Sequence, residues 1–334
     1  MRIFRPLCLI ASLVLASLTT AQGATLKIAT LSPEGSTWMR LLREAGERVE
    51  RDTQGRVNFK FYPGGVMGND LSVLRKMRLG QLHGAVVTAG GLIQHYSDIQ
   101  LYNMPMVFES LEEVDFVRSR LDPMLVSGLA DEGYISFGLA EVGFAYAMSK
   151  QPVASVAEVR AQKVWVPDGD EGSARALRAF GVTPIPLSIA DVLGGLQTGL
   201  INSVAVPPVG AVALQWHTQL RHLTNLPLLY VYGLLTVAER PYGRLADTDQ
   251  AVVRQVMEDI VGRVNARARR DHGQALEALR KQGLIFADVA EDELLKWRQQ
   301  AQLAGRQLVD GGYISADLYR SLLAAISEYR SLDH

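Results

Sequence analysis

The side chains that could do chemistry are few, and their spacing does not assemble a metal site. His217 and His222 are five residues apart, whereas two ligands on one helix face are better served by a spacing of four. The acidic run at 168–171 resembles the start of a calcium loop, but the twelfth position is Ala179, which offers no oxygen. We interpret that run as a turn and expect no metal ligand set.

Motifs of nucleophilic and cofactor chemistry are missing as well. The sequence has no Gly-x-Ser-x-Gly elbow, no phosphate loop and no His-Glu-x-x-His pair. The glycine-rich segment 64–68 lacks the Gly-x-Gly-x-x-Gly spacing that binds a dinucleotide. A binding protein needs no reactive side chain, so this pattern favours a binder without a cofactor and disfavours a periplasmic hydrolase.

The N-terminus has the pattern of a secretory leader. Arg2 and Arg5 precede an apolar run at 7–18, and small residues follow it. We expect a signal peptide at 1–23, cleaved between Ala21 and Ala24, and a periplasmic protein. The only cysteine, Cys8, lies inside this leader, so the mature chain has no thiol nucleophile and no disulfide.

Composition indicates a globular protein with no nucleic-acid partner. The net charge is −1, from 34 basic and 35 acidic residues mixed along the chain. After residue 24 no apolar stretch is long enough to span a bilayer. A mature chain of about 310 residues is long enough for two domains.

Strand and helix patterns alternate in two successive units, which predicts parallel sheets covered by helices. The first unit has strands at 24–30, 56–62 and 84–88, with helices following Ser36 or Thr37 and at 71–79. The second has strands at 163–167, 183–187 and 200–206, with helices at 172–180 and 189–198. The run 229–237 is predicted to return the chain to the first unit. After it, one stripe of a long helix is formed by Val253, Met257, Ile260 and Val264. We predict domain I at 24–146 and 236–285, domain II at 147–235, and C-terminal helices at 286–334.

Three segments resemble the solute-binding proteins of tripartite ATP-independent periplasmic (TRAP) transporters, of the C4-dicarboxylate-binding DctP type. They are FYPGGVMGND at 61–70, MPMVF at 104–108, and the segment 163–204 that runs from KVWVP to GLINSV. The resemblance implies an α/β fold of two domains, a ligand cleft between them and a long bracing helix. It also implies that membrane subunits of a TRAP-type transporter are partners, together with a small-molecule ligand.

The sequence departs from this family where a carboxylate would be held. The resemblance implies an arginine at position 165 and another after Gly143-Phe144, because a guanidinium grips a carboxylate with two hydrogen bonds. This chain has Trp165 and Ala145 there, and Val204, Ala205 and Val206 stand before Pro207 in place of polar groups. We therefore expect a mostly apolar cleft, with a lipid-like, aromatic or terpenoid ligand. The residues predicted to contact that ligand are Trp165, Phe144, Ala145, Val206, Pro207 and Trp38, with Trp216 and Tyr232 as secondary candidates.

Two other interpretations stay open at this point. Trp165 could pack in a core while other residues hold a carboxylate, or the fold could have become a ligand-free scaffold or signalling protein with a filled cleft. For Trp38, a place in the helix core fits the spacing better than a place in the cleft. An apolar site also fits a receptor that works with an additional periplasmic protein.

Overall fold

The computed structural model describes residues 23–332, which form an α/β fold built around one continuous eight-stranded sheet. The strand order is β10-β8-β4-β9-β3-β1-β2, and β7 pairs with β4 beside this path. A separate pair, β5 and β6, runs parallel. The strands are β1 (Ala24–Thr30), β2 (Val57–Tyr62), β3 (Gly84–Thr88), β4 (Tyr134–Ser149), β5 (Trp165–Pro167), β6 (Ile185–Leu187), β7 (Ser203–Val206), β8 (His222–Thr224), β9 (Leu229–Ala238) and β10 (Ile285–Ala287).

Helices cover both halves of this sheet. The α-helices are α1 (Thr37–Asp52), α2 (Asp70–Arg78), α3 (Ala89–Leu92), α4 (Leu111–Asp131), α5 (Val156–Arg160), α6 (Glu171–Ala179), α7 (Val192–Thr198), α8 (Pro208–Ala213), α9 (Glu239–Tyr242), α10 (Asp247–Lys281), α11 (Glu291–Asp310) and α12 (Ala316–Ser331). Ser36 caps α1 by accepting a hydrogen bond from the Met39 amide, as a serine before an amphipathic helix should.

Two long strands join the halves of the molecule. β4 is 16 residues long and pairs along its length with β9, then with β7 and β8 in the second half. In the first half β1 lies between β2 and β3 in parallel register, and β3 pairs with β9 in antiparallel register. The predicted boundaries at 146/147 and 235/236 fall within these two strands, and they stay a prediction.

The long helix predicted from its apolar stripe is α10, with 35 residues. Val253, Met257, Ile260 and Val264 are all buried in a core that also holds the apolar face of α1. At about 1.5 Å per residue this helix is roughly 50 Å long, enough to brace both halves. The predicted two-domain α/β fold with a long bracing helix is confirmed.

Nearly all of the predicted signal peptide, residues 1–22, lies outside the described residues. Between Gly23 and Leu332 no helix combines the length and the apolar character needed to cross a membrane.

Candidate ligand-binding site

A cavity of about 290 Å³ lies where the two halves of the molecule face each other. Its size is at the lower end of the range for small-molecule pockets, roughly 300–1,000 Å³. The largest part of its wall comes from β5, α6, β7 and α8 with the residues next to them. Further wall residues come from the start of α3, from Asn103, Pro105 and Met106, and from β4, α5, β9 and α11. A ligand here would touch both halves at once.

The wall is predominantly aliphatic and aromatic. Its apolar members include Met106, Val142, Val159, Val164, Trp165, Val166, Leu177, Phe180, Ile189, Val204, Val206, Pro207, Leu214, Trp216, Leu228, Val231 and Trp297. Such a surface binds by burying apolar area and excluding water.

Two tryptophans form the most defined part of this wall. Trp165 and Trp216 pack edge to face, with ring centroids 5.0 Å apart and planes at 76°. The Trp165 indole N–H donates to the Leu187 carbonyl oxygen at 3.0 Å, which fixes the ring orientation. Parallel pairing of Trp165 with Ile185 places the two strands so that this bond can form. The indole is therefore held in place before any ligand arrives.

Besides Thr88 and Ser203, the lining has three polar side chains that also border a small annex of the cavity. Asp170 caps the N-terminus of α6, and its carboxylate accepts from the Ser173 amide at 2.9 Å and from the Ser173 hydroxyl at 2.7 Å. Burial raises the pKa of Asp170, because desolvation disfavours its ionised form. Asn103 donates through Nδ2 to the Tyr230 carbonyl oxygen at 2.9 Å. We call Asn103, Asp170 and Ser173 the polar end of the cavity.

None of the described residues that line the cavity is a lysine, an arginine or a histidine. Ser173 donates its hydroxyl to the Asp170 carboxylate, and both side chains belong to the N-terminal cap of α6. Tyr232 directs its hydroxyl to the Ile99 carbonyl and so presents mainly its ring. The arrangement can enclose an apolar body and accept hydrogen bonds at one end.

Close contacts hold the two halves together beside the cavity. Asp170 lies so close to Gly90 on α3 that a Cβ at Gly90 would overlap its carboxylate, and a Cβ at Gly172 would overlap the Gln100 amide. Asn69 donates to Asp168 across the same gap at 3.1 Å.

The structure brings five of the eight predicted contact residues to this cavity, namely Trp165, Val206, Pro207, Trp216 and Tyr232. It places Phe144, Ala145 and Trp38 outside the lining. Phe144 packs on Tyr230 in the core at 5.8 Å, while its β4 neighbours Val142 and Ala147 reach the cavity. A register shift between Glu141 and Gly143 changes the faces on which these side chains lie.

Trp38 and Ala145 are held away from the cavity by their own elements. Trp38 packs with the α1 and α10 core, as the spacing of its helix favoured. Ala145 is fully buried where β4 pairs with Leu229.

Sequence reasoning missed the polar end and the second aromatic pair. Asp170 was interpreted only as part of a turn, although an aspartate three residues before a serine at a strand-to-helix junction is a cap signal. Asn103 stands directly before the MPMVF segment but carries no motif of its own. Trp297 reaches the cavity from α11 and packs on Phe180 at 5.8 Å, a contact between residues more than a hundred positions apart.

Known proteins match this fold over nearly its whole length. A solute-binding protein of Roseobacter denitrificans is 23% identical over 313 residues, which cover 92% of this chain and 89% of that relative. A sugar acid binding protein of Advenella mimigardefordensis, solved in complex with galactonate, has a TM-score of 0.84 at 16% identity and covers 92% of this chain and 99% of its own. A TRAP periplasmic solute-binding protein of Sulfurospirillum deleyianum, solved with succinate, has a TM-score of 0.82 at 18% identity, with 90% and 98% covered. At these identities the solved structures establish the fold alone.

The family follows from a match along the chain itself. The model of the bacterial extracellular solute-binding proteins, family 7 (DctP), matches residues 28–309, from β1 to the end of α11. This range includes the whole sheet except the first residues of β1, and every wall of the cavity. The chain therefore belongs to the DctP family of extracellular solute-binding proteins, which are ligand receptors of TRAP transporters and not enzymes.

Proposed function

We propose that this receptor captures an apolar or weakly polar small molecule, such as a lipid-like, aromatic or terpenoid compound. One observation carries the proposal: the described lining of the interdomain cavity contains no cationic side chain, and Trp165 stands where the family resemblance implies an arginine. The ligand contacts proposed are Trp165, Val206, Pro207, Trp216 and Tyr232.

Burial energetics disfavour a carboxylate ligand in this cavity. A carboxylate that loses water without gaining a cation or several donors costs several kcal/mol. The ionisable group at the polar end is itself an acid, Asp170, so a second carboxylate would meet like charge. Galactonate and succinate are ligands of the relatives solved with them. A lining without a guanidinium lacks the group that would hold such an acid with two hydrogen bonds.

Capture would proceed by a shift between open and closed forms. The open form exposes the apolar walls, and a ligand that touches both halves stabilises the closed form. The contacts of Asp170 with Gly90 and of Asn69 with Asp168 join the two halves, and the proposed opening would break them. We propose that the signal peptide directs export of the chain. We also propose that the two bodies that move are domain I, at 24–146 and 236–285, and domain II, at 147–235. Membrane subunits of the transporter receive the closed form, and an additional periplasmic protein is a further proposed partner.

The two alternative functions make different demands on the cavity. A ligand-free scaffold is disfavoured by a cavity of about 290 Å³, because a filled cleft would leave close packing instead. A carboxylate receptor with non-standard contacts would need a donor set at the cavity wall, and the polar end consists mainly of acceptors.

A thermal-shift series tests the proposed function. The probes are succinate and galactonate on one side, and N-phenyl-1-naphthylamine, a neutral aromatic compound, on the other. A ligand present at a hundred times its dissociation constant stabilises the folded state by about 2.7 kcal/mol. We expect stabilisation by the aromatic probe alone. Stabilisation by succinate or galactonate without an effect of the aromatic probe would contradict the proposed function.

A further inference from the structure

The polar end of the cavity presents hydrogen-bond acceptors. Asn103, Asp170 and Ser173 line both the main cavity and a small annex next to it, so the annex continues the cavity at this end. The backbone of Gly90 faces the same annex from the first half of the molecule. Together with Gln100, which also lines the annex, these three side chains decide which polar group of a ligand could be accommodated there.

Asn103 supplies the first acceptor. A carbonyl oxygen can only accept a hydrogen bond, so the contact with the Tyr230 carbonyl must be made by the amide NH₂ of Asn103. This contact fixes the orientation of the amide. The Oδ1 of Asn103 is buried and has no donor within the described part of the chain. A buried acceptor without a donor costs about 1–3 kcal/mol. A donor on the ligand would offset that cost.

Asp170 supplies the second acceptor and a negative charge. Its carboxylate accepts from Ser173 and forms no ion pair with any residue of the described range. The cation nearest in sequence on α6, Arg175, stacks its guanidinium on the Tyr313 ring at 3.8 Å and pairs loosely with Glu171. The carboxylate of Asp70 adds further negative potential, because it interacts with Asp170 across the gap. Within the described residues the helix N-terminus and the Ser173 donors offset part of this charge, and no cationic side chain pairs with it.

The rest of the lining tolerates a cation on the ligand. No lysine, arginine or histidine among the described lining residues would repel one, and the ring faces of Trp165, Trp216 and Tyr232 attract cations through their π electrons. The lining as a whole carries at most the single negative charge of Asp170. A positive ligand therefore complements its charge, and a neutral one leaves Asp170 unpaired.

We propose that the ligand of this receptor is an apolar amine, whose ammonium group binds Asp170 and Asn103 while its body packs on Trp165 and Trp216. This inference rests on the proposed function and narrows it, since the apolar body is what the cavity walls require. N–H donors of an ammonium form charge-assisted bonds to a carboxylate, which are roughly twice as strong as neutral hydrogen bonds. One ammonium has enough donors for both Asp170 and the Oδ1 of Asn103.

Three probes with one body and three head groups test this inference: 4-phenylbutylamine, 4-phenylbutanol and 4-phenylbutanoate, titrated by calorimetry at pH 7.5. We expect the amine to bind at least tenfold more tightly than the alcohol, and the carboxylate to bind more weakly than either. Asp170→Asn should lower amine affinity at least tenfold and leave alcohol affinity within threefold. Asparagine caps a helix as well as aspartate does, so the fold should be preserved.

Glu171→Gln is the matched control, because it removes one negative charge from the same helix start at an exposed side chain outside the lining. Amine affinity should stay within threefold in this variant. The ammonium inference would be overturned if the alcohol bound as tightly as the amine or more tightly. It would also be overturned if the Asp170 and Glu171 variants lost equal amounts of amine affinity, and either result would leave the proposed function intact. Failure of all three probes would also overturn it, and binding of succinate in their place would overturn the proposed function as well.

Discussion

Replacing Trp165 by arginine tests whether this indole is part of the ligand surface. The side chain is 6% exposed, stacks edge to face on Trp216 and donates to the Leu187 carbonyl. The substitution removes an aromatic pair worth about 0.5–1.5 kcal/mol and leaves a guanidinium facing apolar walls. Loss of a packed aromatic typically costs about 3–5 kcal/mol, and arginine refills only part of that space. We expect the free energy of unfolding to fall by about 3 kcal/mol.

Ligand affinity of the folded variant should fall as well, for a reason separate from the loss of stability. Closure onto an apolar ligand would bury the new cation without a partner, which costs several kcal/mol. We expect the affinity for N-phenyl-1-naphthylamine to fall at least a hundredfold, about 2.7 kcal/mol at 1.36 kcal/mol per tenfold. Circular dichroism during guanidinium unfolding gives the stability, and probe fluorescence gives the affinity at a temperature where the variant stays folded.

Two companion variants separate charge from shape and position. Trp165→Phe keeps an aromatic ring and loses the indole donor, so stability should fall by about 1 kcal/mol and probe affinity should stay within fivefold. Trp38→Arg makes the same substitution on α1, outside the cavity lining, and should leave probe affinity unchanged. A well-folded Trp165→Arg protein with unchanged probe affinity would refute the assignment of this residue to the ligand surface.

Other features of the structure make independent predictions. Burial raises the pKa of Asp70 to about 6 from 3.8, so its contribution to stability is fully present below pH 3.8 and is lost as the pH rises through about 6. Asp70→Asn should therefore raise the free energy of unfolding by up to about 3 kcal/mol at pH 8 and change it little at pH 4. Urea titrations at the two pH values measure this, and equal effects at pH 4 and pH 8 would contradict it. Gly90→Ala places a methyl group against Asp170 and should weaken binding of N-phenyl-1-naphthylamine at least tenfold at unchanged melting temperature. Gly194 has open space around it, so Gly194→Ala should leave the affinity for this probe unchanged. N-terminal sequencing of the exported protein should begin within 22–25, and an intact Met1 would refute the leader.

Much of the fold could be predicted from the sequence because its strands and helices are strongly patterned. The strand predicted at 84–88 is β3 to the residue, and the stripe from Val253 to Val264 is buried throughout. The helix predicted from 189 begins instead with a 3₁₀ turn at Ile189–Asp191, and it ends at Gly199, where φ is 75° as a glycine after a helix allows.

Helix α4 shows where such patterns are harder to read. Val114, Val117, Leu121, Leu125 and Leu129 recur at helical spacing and are all buried. The sequence reasoning nevertheless placed no helix there. Pro123 lies inside it, and a proline normally argues against a helix interior. Packing on β4 and α12 compensates for the hydrogen bond that Pro123 removes, and packing of that kind is not visible in local sequence.

The site was predictable only where local motifs coincide with the cavity wall. Trp165 opens β5, Val206 ends β7 and Pro207 follows it, so their positions at strand ends indicated a place at the cleft. Asn103, Asp170 and Trp297 come from three separate elements, and only tertiary packing brings them to one cavity. Phe144 lies in the core and outside the lining, beside an irregularity in β4, and one shifted residue changes the face of a strand on which a side chain lies.

Native mass spectrometry of the receptor, purified gently from the periplasm of its own host, examines the ligand directly. The bound molecule can be released, weighed and fragmented without prior choice of a probe. We predict a retained apolar compound that contains a basic nitrogen, bound at one per chain and lost from Trp165→Arg. A retained dicarboxylate or sugar acid, or a clean ligand-free mass, would contradict the proposed function.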